Sequence, residues 1–212
     1  EDLLVESRMA GRPNARFFAL VGNFFSPVVM RGELGGNPTF RDYLQQVRRT
    51  TLETLEHQSY PFLRLVEQLA IARDPARSPL VQVSFGLNQP LQQTKQWRPH
   101  ASATFSEPEG MLGDWPVKLL KTNVLEGMYE LDVEMLEMDN RLVGALNYNT
   151  SLFTAATATR MIANLERLLT AIVQAPTTPI RDLPLLAAAE RQQLLVDWNA
   201  TSTAPHHEGC IQ

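Results

Sequence analysis

The sequence predicts an α+β fold because two hydrophobic periods, one typical of strands and one of helices, divide its 212 residues. Strand-like patterns, in which apolar and polar residues mostly alternate, cover five stretches: 1–12, 80–87, 117–120, 128–136 and 142–148. Apolar residues recur at three- and four-residue intervals, as in helices that bury one face, over three others: 40–56, 62–69 and 155–174. With 44% hydrophobic residues, the chain can build a substantial core.

Composition argues against several classes of function. The formal net charge is −4 and no cluster of Lys and Arg occurs, which argues against a nucleic-acid binder. No apolar run reaches the about 20 residues of a membrane helix, and no signal peptide opens the sequence. We therefore expect a cytoplasmic protein. The single cysteine, Cys210, excludes an internal disulfide framework and is compatible with a reducing compartment.

The first predicted strand lies at the very start of the sequence. Leu3 and Val5 share one face of it, and Glu6 and Arg8 share the other. A compact domain rarely begins so abruptly, so we expect the chain to start within a domain.

Two helices are predicted next. Asn37 followed by Pro38 favours a helix opening, and this helix is predicted to extend to about Glu56. Its Arg48-Arg49 pair is expected to be solvated, with a phosphate site as the alternative. Ser59 is the candidate N-cap of the second helix.

The Asp74-Pro75 step disfavours helix and is the expected limit of the second helix. A buried strand is predicted after this step. Gln82, Ser84 and Gly86 share one face of this strand. That face is polar and small enough to line a cavity.

Residues 88–116 are predicted to form a long irregular loop. Trp97 and Trp115 are expected to be buried in local clusters there, and the alternative is that they anchor the loop elsewhere.

The strand at 128–136 carries three carboxylates on one face: Glu130, Asp132 and Glu134. We interpret this row as the solvent face of the strand, and acid/base or metal chemistry is the alternative. An Asp139-Asn140 turn then leads into the strand at 142–148, which completes a hairpin.

Two motifs resemble those of the condensation domains of nonribosomal peptide synthetases. The family shows His-Gln-Asp-Tyr-Pro-Phe before a helix, and residues 57–62 read His-Gln-Ser-Tyr-Pro-Phe. The family then shows Arg-Asp-x-Ser-x-x-Pro-Leu-Phe-Gln-Val, and residues 73–83 read Arg-Asp-Pro-Ala-Arg-Ser-Pro-Leu-Val-Gln-Val. The separation of the two motifs is also similar to that in the family.

Further stretches are similar to the family in the same order. The family pattern Gly-x-Phe-Val-Asn-Thr-Leu-x-x-Arg is matched here by Gly22, Phe24 and Arg31. In this sequence, Ser26 and Pro27 stand in place of the Asn and Thr of the pattern. The sequence Tyr-Asn-Thr-Ser-Leu-Phe at 148–153 follows the predicted hairpin, as a similar sequence does in the family. The resemblance covers residues 1 to about 201.

The resemblance implies a lobe similar in fold to chloramphenicol acetyltransferase, with a mixed β-sheet covered by helices, which is half of a two-lobe domain. Residues 1–186 would be the C-terminal lobe of the condensation domain. Residues 187–212 resemble the linker toward a following adenylation domain.

The resemblance also implies a reaction of secondary metabolite biosynthesis. The amine of an acceptor aminoacyl thioester attacks the carbonyl of a donor acyl or peptidyl thioester, and carrier domains hold both on phosphopantetheine arms. The chain would bind no cofactor directly. The implied partners are the N-terminal lobe of the same domain, upstream and downstream carrier domains and the adenylation domain, with neither nucleic acid nor membrane among them.

No catalytic residue is assigned to this chain. The family's reactive histidine belongs to a His-His-x-x-x-Asp-Gly motif in the N-terminal lobe. The one His-His pair here, His206-His207, has Ile211 and Gln212 where the Asp and Gly should fall. We therefore expect the chain alone to be inactive.

Four polar residues are expected to line the substrate channel: Asn23, Ser26, Gln82 and Ser84. Six motif residues are expected to be structural: His57, Tyr60, Pro61, Arg73, Asp74 and Arg77. For His57, a buried imidazole that titrates near neutrality is the alternative.

Other chemistries find little support in the sequence. His206, His207, Glu208 and Cys210 lack a second pair of ligands, so no metal site is expected. Neither a Gly-x-Ser-x-Gly elbow nor a Gly-rich phosphate loop occurs. Two rival functions stay open: a scaffold or carrier-docking lobe that acts by binding alone, and a sister domain for epimerisation or heterocyclisation.

Overall fold

The computed structural model describes residues 2–9, 11–12, 14–72, 74–88, 109–112, 115–118, 128–138 and 141–201. The strands in these ranges are β1 Asp2–Met9, β2 Ser26–Glu33, β3 Val83–Asn88, β4 Glu109–Leu112, β5 Trp115–Lys118, β6 Leu131–Met138 and β7 Arg141–Tyr148. The helices are α1 Phe40–His57, α2 Phe62–Gln68, α3 Ala155–Gln174 and α4 Ala188–Leu195. Short 3₁₀ turns lie at Ala15–Phe17, Ile180–Asp182 and Asp197–Asn199.

Five strands form one mixed sheet in the order β2-β1-β3-β6-β7. The outer pairs, β1 with β2 and β6 with β7, are antiparallel, whereas β3 runs parallel to both of its neighbours. Parallel neighbours need long crossover connections, and α1 and α2 lie in the connection between β2 and β3. This mixed sheet with helices confirms the predicted fold class.

The helix α1 packs closely on β2. A Cβ atom at Gly32 would overlap the hydroxyl of Tyr43 in α1, so the missing side chain allows the close approach. The predicted cap of α1 is wrong. Thr39 caps the helix, with its hydroxyl accepting a hydrogen bond from the Asp42 amide at 3.2 Å. Asn37 instead has a left-handed φ of 53°.

The start of α1 is tied to the segment that follows α3. The Asn37 side chain accepts a hydrogen bond from the Arg181 amide at 3.0 Å, and the Ile180 amide donates to the Pro38 carbonyl at 3.0 Å. Thr39 and Pro179 form an isolated β-bridge. Residues 178–181 therefore run along the N-terminal end of α1.

The helix α2 is shorter than predicted and has a different start. It begins at Phe62 with Pro61 at the cap position, where no side chain caps it, so the prediction of Ser59 as N-cap is wrong. The helix ends at Gln68, and Ala70 has a left-handed φ of 48°. The positive φ ends the helix well before the Asp-Pro step that the sequence suggested as the limit.

The predicted hairpin is confirmed, since β6 and β7 pair from Leu131 opposite Tyr148 to Met138 opposite Arg141. Its Asp139-Asn140 turn lies outside the described residues. The strand expected over 80–87 starts only at Val83, because Leu80 has a φ of 72°.

The segment predicted to be irregular contains regular structure. Strands β4 and β5 form an antiparallel pair, with Leu112 opposite Trp115. Trp115 is 75% exposed, so its predicted burial in a local cluster is wrong. Trp97 lies outside the described residues.

The helix α3 has the predicted bounds, and it holds the segment that follows. Arg167 in α3 donates a hydrogen bond to the Leu185 carbonyl at 3.1 Å. Arg160 in α3 lies 3.3 Å from the carboxylate of Glu190 in α4. Among the described helices, none combines the length and hydropathy needed to cross a bilayer.

A glycine-arginine corner holds the connection between β1 and β2. Gly11 has a φ of 61°, and a Cβ atom there would overlap the Phe24 carbonyl oxygen. Arg12 donates hydrogen bonds to the carbonyls of Phe17 and Gly22, and its guanidinium lies 4.1 Å from the centre of the Phe24 ring. This geometry explains why a Gly-Arg pair stands after β1.

We predict that Gly11→Ala lowers the free energy of unfolding by about 2–4 kcal/mol, since positive φ and a backbone clash combine. Urea denaturation followed by circular dichroism measures the change. Gly35→Ala is the matched control, because no atom lies within 4 Å of the added Cβ, and it should change stability by less than about 0.5 kcal/mol. Equal stability of the two variants would contradict the assignment.

Candidate functional site

A pocket of about 400 Å³ lies where the two motif segments meet. Phe62 at the start of α2 forms one wall, and residues 75–78 of the following turn form another. Pro27 of β2 and Val81 close it from the sheet side. The sequence separates these segments, and the fold brings them together around one cavity.

Three residues of the first motif form the corner between α1 and α2. The carbonyl of His57, the last residue of α1, accepts a hydrogen bond from the Tyr60 amide at 2.9 Å, and the Pro61 carbonyl accepts one from the Arg64 amide at 3.0 Å. These contacts are compatible with the expected structural role. His57 is exposed, so the alternative of a buried titrating histidine is wrong.

The second motif forms a tight turn beside the pocket. The Asp74 carboxylate accepts a hydrogen bond from the Ala76 amide at 2.9 Å, and the Asp74 carbonyl accepts one from the Arg77 amide at 3.2 Å. The Arg77 guanidinium lies 3.5 Å from the carboxylate of Glu130, which immediately precedes β6. Arg73 lies outside the described residues.

Two of the predicted channel residues lie near β2. Asn23 is exposed, and its side chain accepts a hydrogen bond from the Phe25 amide at 3.1 Å. The Ser26 hydroxyl donates to the Gln58 carbonyl at 3.4 Å, which joins β2 to the end of α1. Ser26 adjoins Pro27 of the pocket wall, whereas neither Asn23 nor Ser26 is itself among the described residues that line the pocket.

The other two predicted channel residues lie at β3. The Gln82 amide group donates to the Ser78 carbonyl at 3.2 Å, next to Val81 of the pocket wall. Ser84 has no exposed surface, and its hydroxyl accepts a hydrogen bond from Arg8 at 3.4 Å. The fold therefore places these residues in different surroundings. Gln82 adjoins the pocket wall without being among the described residues that line it, and Ser84 lies in the interior.

A charged cluster crosses the sheet at Ser84. Arg8 of β1 reaches over β3 to two carboxylates of β6, at 2.6 Å from Asp132 and 3.4 Å from Glu134. Asp132 is 6% exposed and Glu134 8%. The prediction that this carboxylate row faces solvent is therefore wrong for both residues, because β6 lies inside the sheet and a guanidinium from β1 covers its polar face.

Glu6 is the most deeply buried charged residue among those described. It is 1% exposed, it lies opposite Ser84 in the register, and its Oε1 atom has no hydrogen-bond partner among the residues that the structure describes. Burial raises the pKa of the Glu6 carboxyl above its ordinary 4.5, Arg8 lowers it in part, and Asp132 raises it again. Glu6 is thus held toward its neutral form.

The cluster was not recognised from the sequence, although a signal was present. Glu6 and Arg8 share one face of β1, and Asp132 and Glu134 share one face of β6. Strands inside a parallel arrangement are buried on both faces, and buried charges occur in pairs. Opposite charges on two such strands therefore indicate an ion pair across the sheet.

Metal binding has no support in the described part of the chain, where no group of three or more His, Cys, Asp and Glu side chains could hold an ion. The residues weighed as ligands from the sequence, His206, His207, Glu208 and Cys210, lie outside the described residues.

We predict that Arg8→Met lowers the free energy of unfolding by about 2–4 kcal/mol, because it leaves buried carboxylates without their cation. Arg31→Met is the matched control. Arg31 also pairs with two carboxylates, Asp2 and Glu33, but its side chain is 60% exposed, so its loss should scarcely change the urea midpoint. Similar effects of the two substitutions would contradict the burial argument.

We predict that Glu6→Gln changes the pH dependence of stability. Because the pKa of Glu6 is raised in the folded state, its stabilising effect is complete below the pKa of the unfolded chain and declines as pH rises through the folded pKa. The amide side chain of the Glu6→Gln variant does not ionise in this pH range. Its urea midpoint should therefore rise relative to that of the original chain as pH increases from about 4.5 to about 8, and a constant difference would contradict the raised pKa.

Comparison with known proteins identifies the family. A family model described as "Condensation domain" matches residues 1–195. One protein of the linear gramicidin synthase of Brevibacillus parabrevis is 35% identical over 211 residues, which cover 100% of this chain and 3% of that protein. Gramicidin S synthase 2 of Brevibacillus brevis is 32% identical over 212 residues, which cover 100% of this chain and 4% of that protein. The chain therefore spans a small part of the length of these relatives.

Solved structures agree with this match. A four-domain nonribosomal peptide synthetase, holo-AB3403 bound to AMP and glycine, aligns with a TM-score of 0.75 and 25% identity over 88% of this chain and 14% of its own. The X-domain in complex with OxyB from teicoplanin biosynthesis aligns with a TM-score of 0.70 and 22% identity over 88% of this chain and 38% of its own. The fold is therefore the chloramphenicol acetyltransferase-like fold of these domains, and the chain belongs to the condensation-domain family of nonribosomal peptide synthetases.

Proposed function

We propose that the chain is the C-terminal lobe of a condensation domain that joins two thioester-bound substrates. The amine of an acceptor aminoacyl thioester attacks the carbonyl of a donor acyl or peptidyl thioester, so an amide bond forms and the donor's thiol is released. Carrier domains present both substrates on phosphopantetheine arms. The observation that carries the proposal is the family match over residues 1–195, with the two motifs at one pocket.

The chain supplies one wall of the reaction channel under this proposal. The motif residues around the pocket form a backbone corner and an ion pair, which are structural contacts. The reactive histidine comes from the N-terminal lobe. The chain aligns with 38% of the X-domain chain, which is consistent with half of a two-lobe domain. A wall of this kind accelerates the reaction by proximity, which is worth up to about 7–11 kcal/mol of the barrier.

Four residues are proposed to line that channel: Asn23, Ser26, Gln82 and Ser84. Ser26 and Gln82 are next in sequence to residues of the pocket wall, and Asn23 is exposed nearby in the chain. Ser84 is fully buried, so its contact with a substrate requires a rearrangement around Arg8.

The remaining assignments are also proposals. Residues 1–186 form the lobe and 187–212 the linker toward an adenylation domain, in a cytoplasmic synthetase. The ion pair of Glu190 with Arg160 supports a linker whose first helix is held against the lobe.

A docking lobe without catalysis is the second candidate. The observation that favours it is the similar X-domain fold, which is solved in complex with the protein OxyB. A lobe of this shape could likewise act by binding a carrier or another protein.

We predict that the 212-residue chain forms no amide from two loaded carrier domains, and that extending it through the sequence encoded before Glu1 restores the reaction. Mass spectrometry of the carrier-bound product measures amide formation. The control is the extended chain with Ala in place of the histidines of its His-His-x-x-x-Asp-Gly motif, which should bind carriers without forming product.

Amide formation by the 212-residue chain alone would overturn the proposal that the reactive histidine comes from the N-terminal lobe. Carrier binding by the extended chain without any product would favour the docking lobe. Inversion of the donor residue or formation of a heterocycle would instead identify one of the sister activities.

A further inference from the structure

The five-stranded sheet has one weak junction. Strands β1 and β2 pair over eight positions from Asp2 to Met9, and β3 and β6 pair over six from Val83 to Asn88. Strands β1 and β3, by contrast, pair at one described position, with Glu6 opposite Ser84. Because ladder hydrogen bonds hold neighbouring strands together, local opening should begin where they are fewest.

Side chains bridge this junction where the backbone does not. Arg8 lies on β1, and its guanidinium contacts Ser84 of β3 and the carboxylates of Asp132 and Glu134 on β6. Asp132 also accepts a hydrogen bond from Asn147 of β7 at 3.4 Å. Arg8 of β1 is thus linked directly to β3 and β6, and through Asp132 to β7.

We propose that the junction between β1 and β3 is a seam at which the sheet opens as two units, β1-β2 and β3-β6-β7, and that Arg8 is the clamp that holds it closed. Charge-assisted hydrogen bonds from a fork-shaped guanidinium suit this role, because they are strong when geometry is kept and are lost together when it is not.

The charges at the seam make the clamp sensitive to ionisation. Among the described residues, three carboxylates and one cation face each other here: Glu6 and Arg8 on β1, and Asp132 and Glu134 on β6, with the neutral Ser84 between them. Burial favours the neutral form of Glu6. Ionised Glu6 adds a repulsion across the seam that a single guanidinium does not balance, so rising pH should favour opening.

The space beside the clamp is consistent with opening. Gly86 follows Ser84 on the same face of β3, and no described atom lies within 4 Å of the position of a Cβ there. Opening at the seam would expose Ser84, which is inaccessible in the closed sheet. A role of this exposure in the reaction rests on the proposed function, in which Ser84 lines the channel. The proposal of the seam does not rest on that function.

Hydrogen exchange with mass spectrometry on the 212-residue chain tests the seam without carriers or substrates, so the result is independent of amide formation. Loss of global stability in Arg8→Met accelerates exchange in all strands, so segments 131–138 and 141–148 serve as the reference. We expect exchange in segments 2–9 and 83–88 to accelerate by about tenfold or more beyond that reference, as local opening requires. Arg31→Met is the matched control and should change neither seam segment.

Equal acceleration over all of these strands, no acceleration in 83–88, or the same result from Arg31→Met would overturn the proposal. A second measurement follows the pH dependence of hydrogen exchange, and it compares proteins that all stay folded. After correction for the intrinsic pH dependence of exchange, the original chain should exchange faster at the seam at about pH 8 than at about pH 5, and Glu6→Gln should remove that difference. A pH effect that persists in Glu6→Gln, or no pH effect in the original chain, would contradict the role of the clamp.

Discussion

The constraint on which the structure depends is the burial of two carboxylates around a single guanidinium in the middle of a sheet, with the Glu6 carboxyl group buried beside them. Asp132 and Glu134 lose most of their hydration, and Arg8 compensates for that loss across an intervening strand. A charge without such compensation costs several kcal/mol in a protein interior. The sheet can therefore bury its polar face only with β1, β3 and β6 in this register, so the ion cluster selects one arrangement of strands as well as stabilising it.

The family motifs act mainly through backbone geometry. Gly11 adopts a conformation open to few other residues, and Arg12 holds the connection that follows by its carbonyl groups. Pro61 opens α2, and Asp74 closes a turn. The segments that Pro61 and Asp74 shape lie at the walls of one pocket, although they are distant in sequence.

The sequence was informative wherever a residue acts locally. The long helix α3 and the hairpin of β6 and β7 follow from periodicity, since each element buries one continuous stripe. Caps were harder to predict. Thr39 and Asn37 are both good capping residues, and the choice between them is made by a distant partner, the Arg181 amide. Local sequence contains no information about that contact.

In the candidate site, too, local features could be predicted from the sequence, whereas contacts with distant partners were not predicted. The two motifs were recognisable, and the fold places them at one pocket. The charged face was misjudged because alternation along β6 is the same for a solvent-facing strand and for one whose polar face meets Arg8. The strand order, with β1 next to β3, decides between the two cases, and the opposite charges on β1 and β6 were the signal for it in the sequence. Ser84 was predicted to line the channel, and its complete burial in this structure depends on the same neighbour, Arg8.

The tie between residues 178–181 and the first turn of α1 has a mechanical consequence. The chain beyond α3 is joined to the start of α1 by a β-bridge and four hydrogen bonds, and α4 is then held by Arg160. A domain attached after this segment would therefore be joined by more than a flexible tether. Any pull on it would be transmitted as a shear load on the N-terminal end of α1 and, through Tyr43 above Gly32, on the edge strand of the sheet.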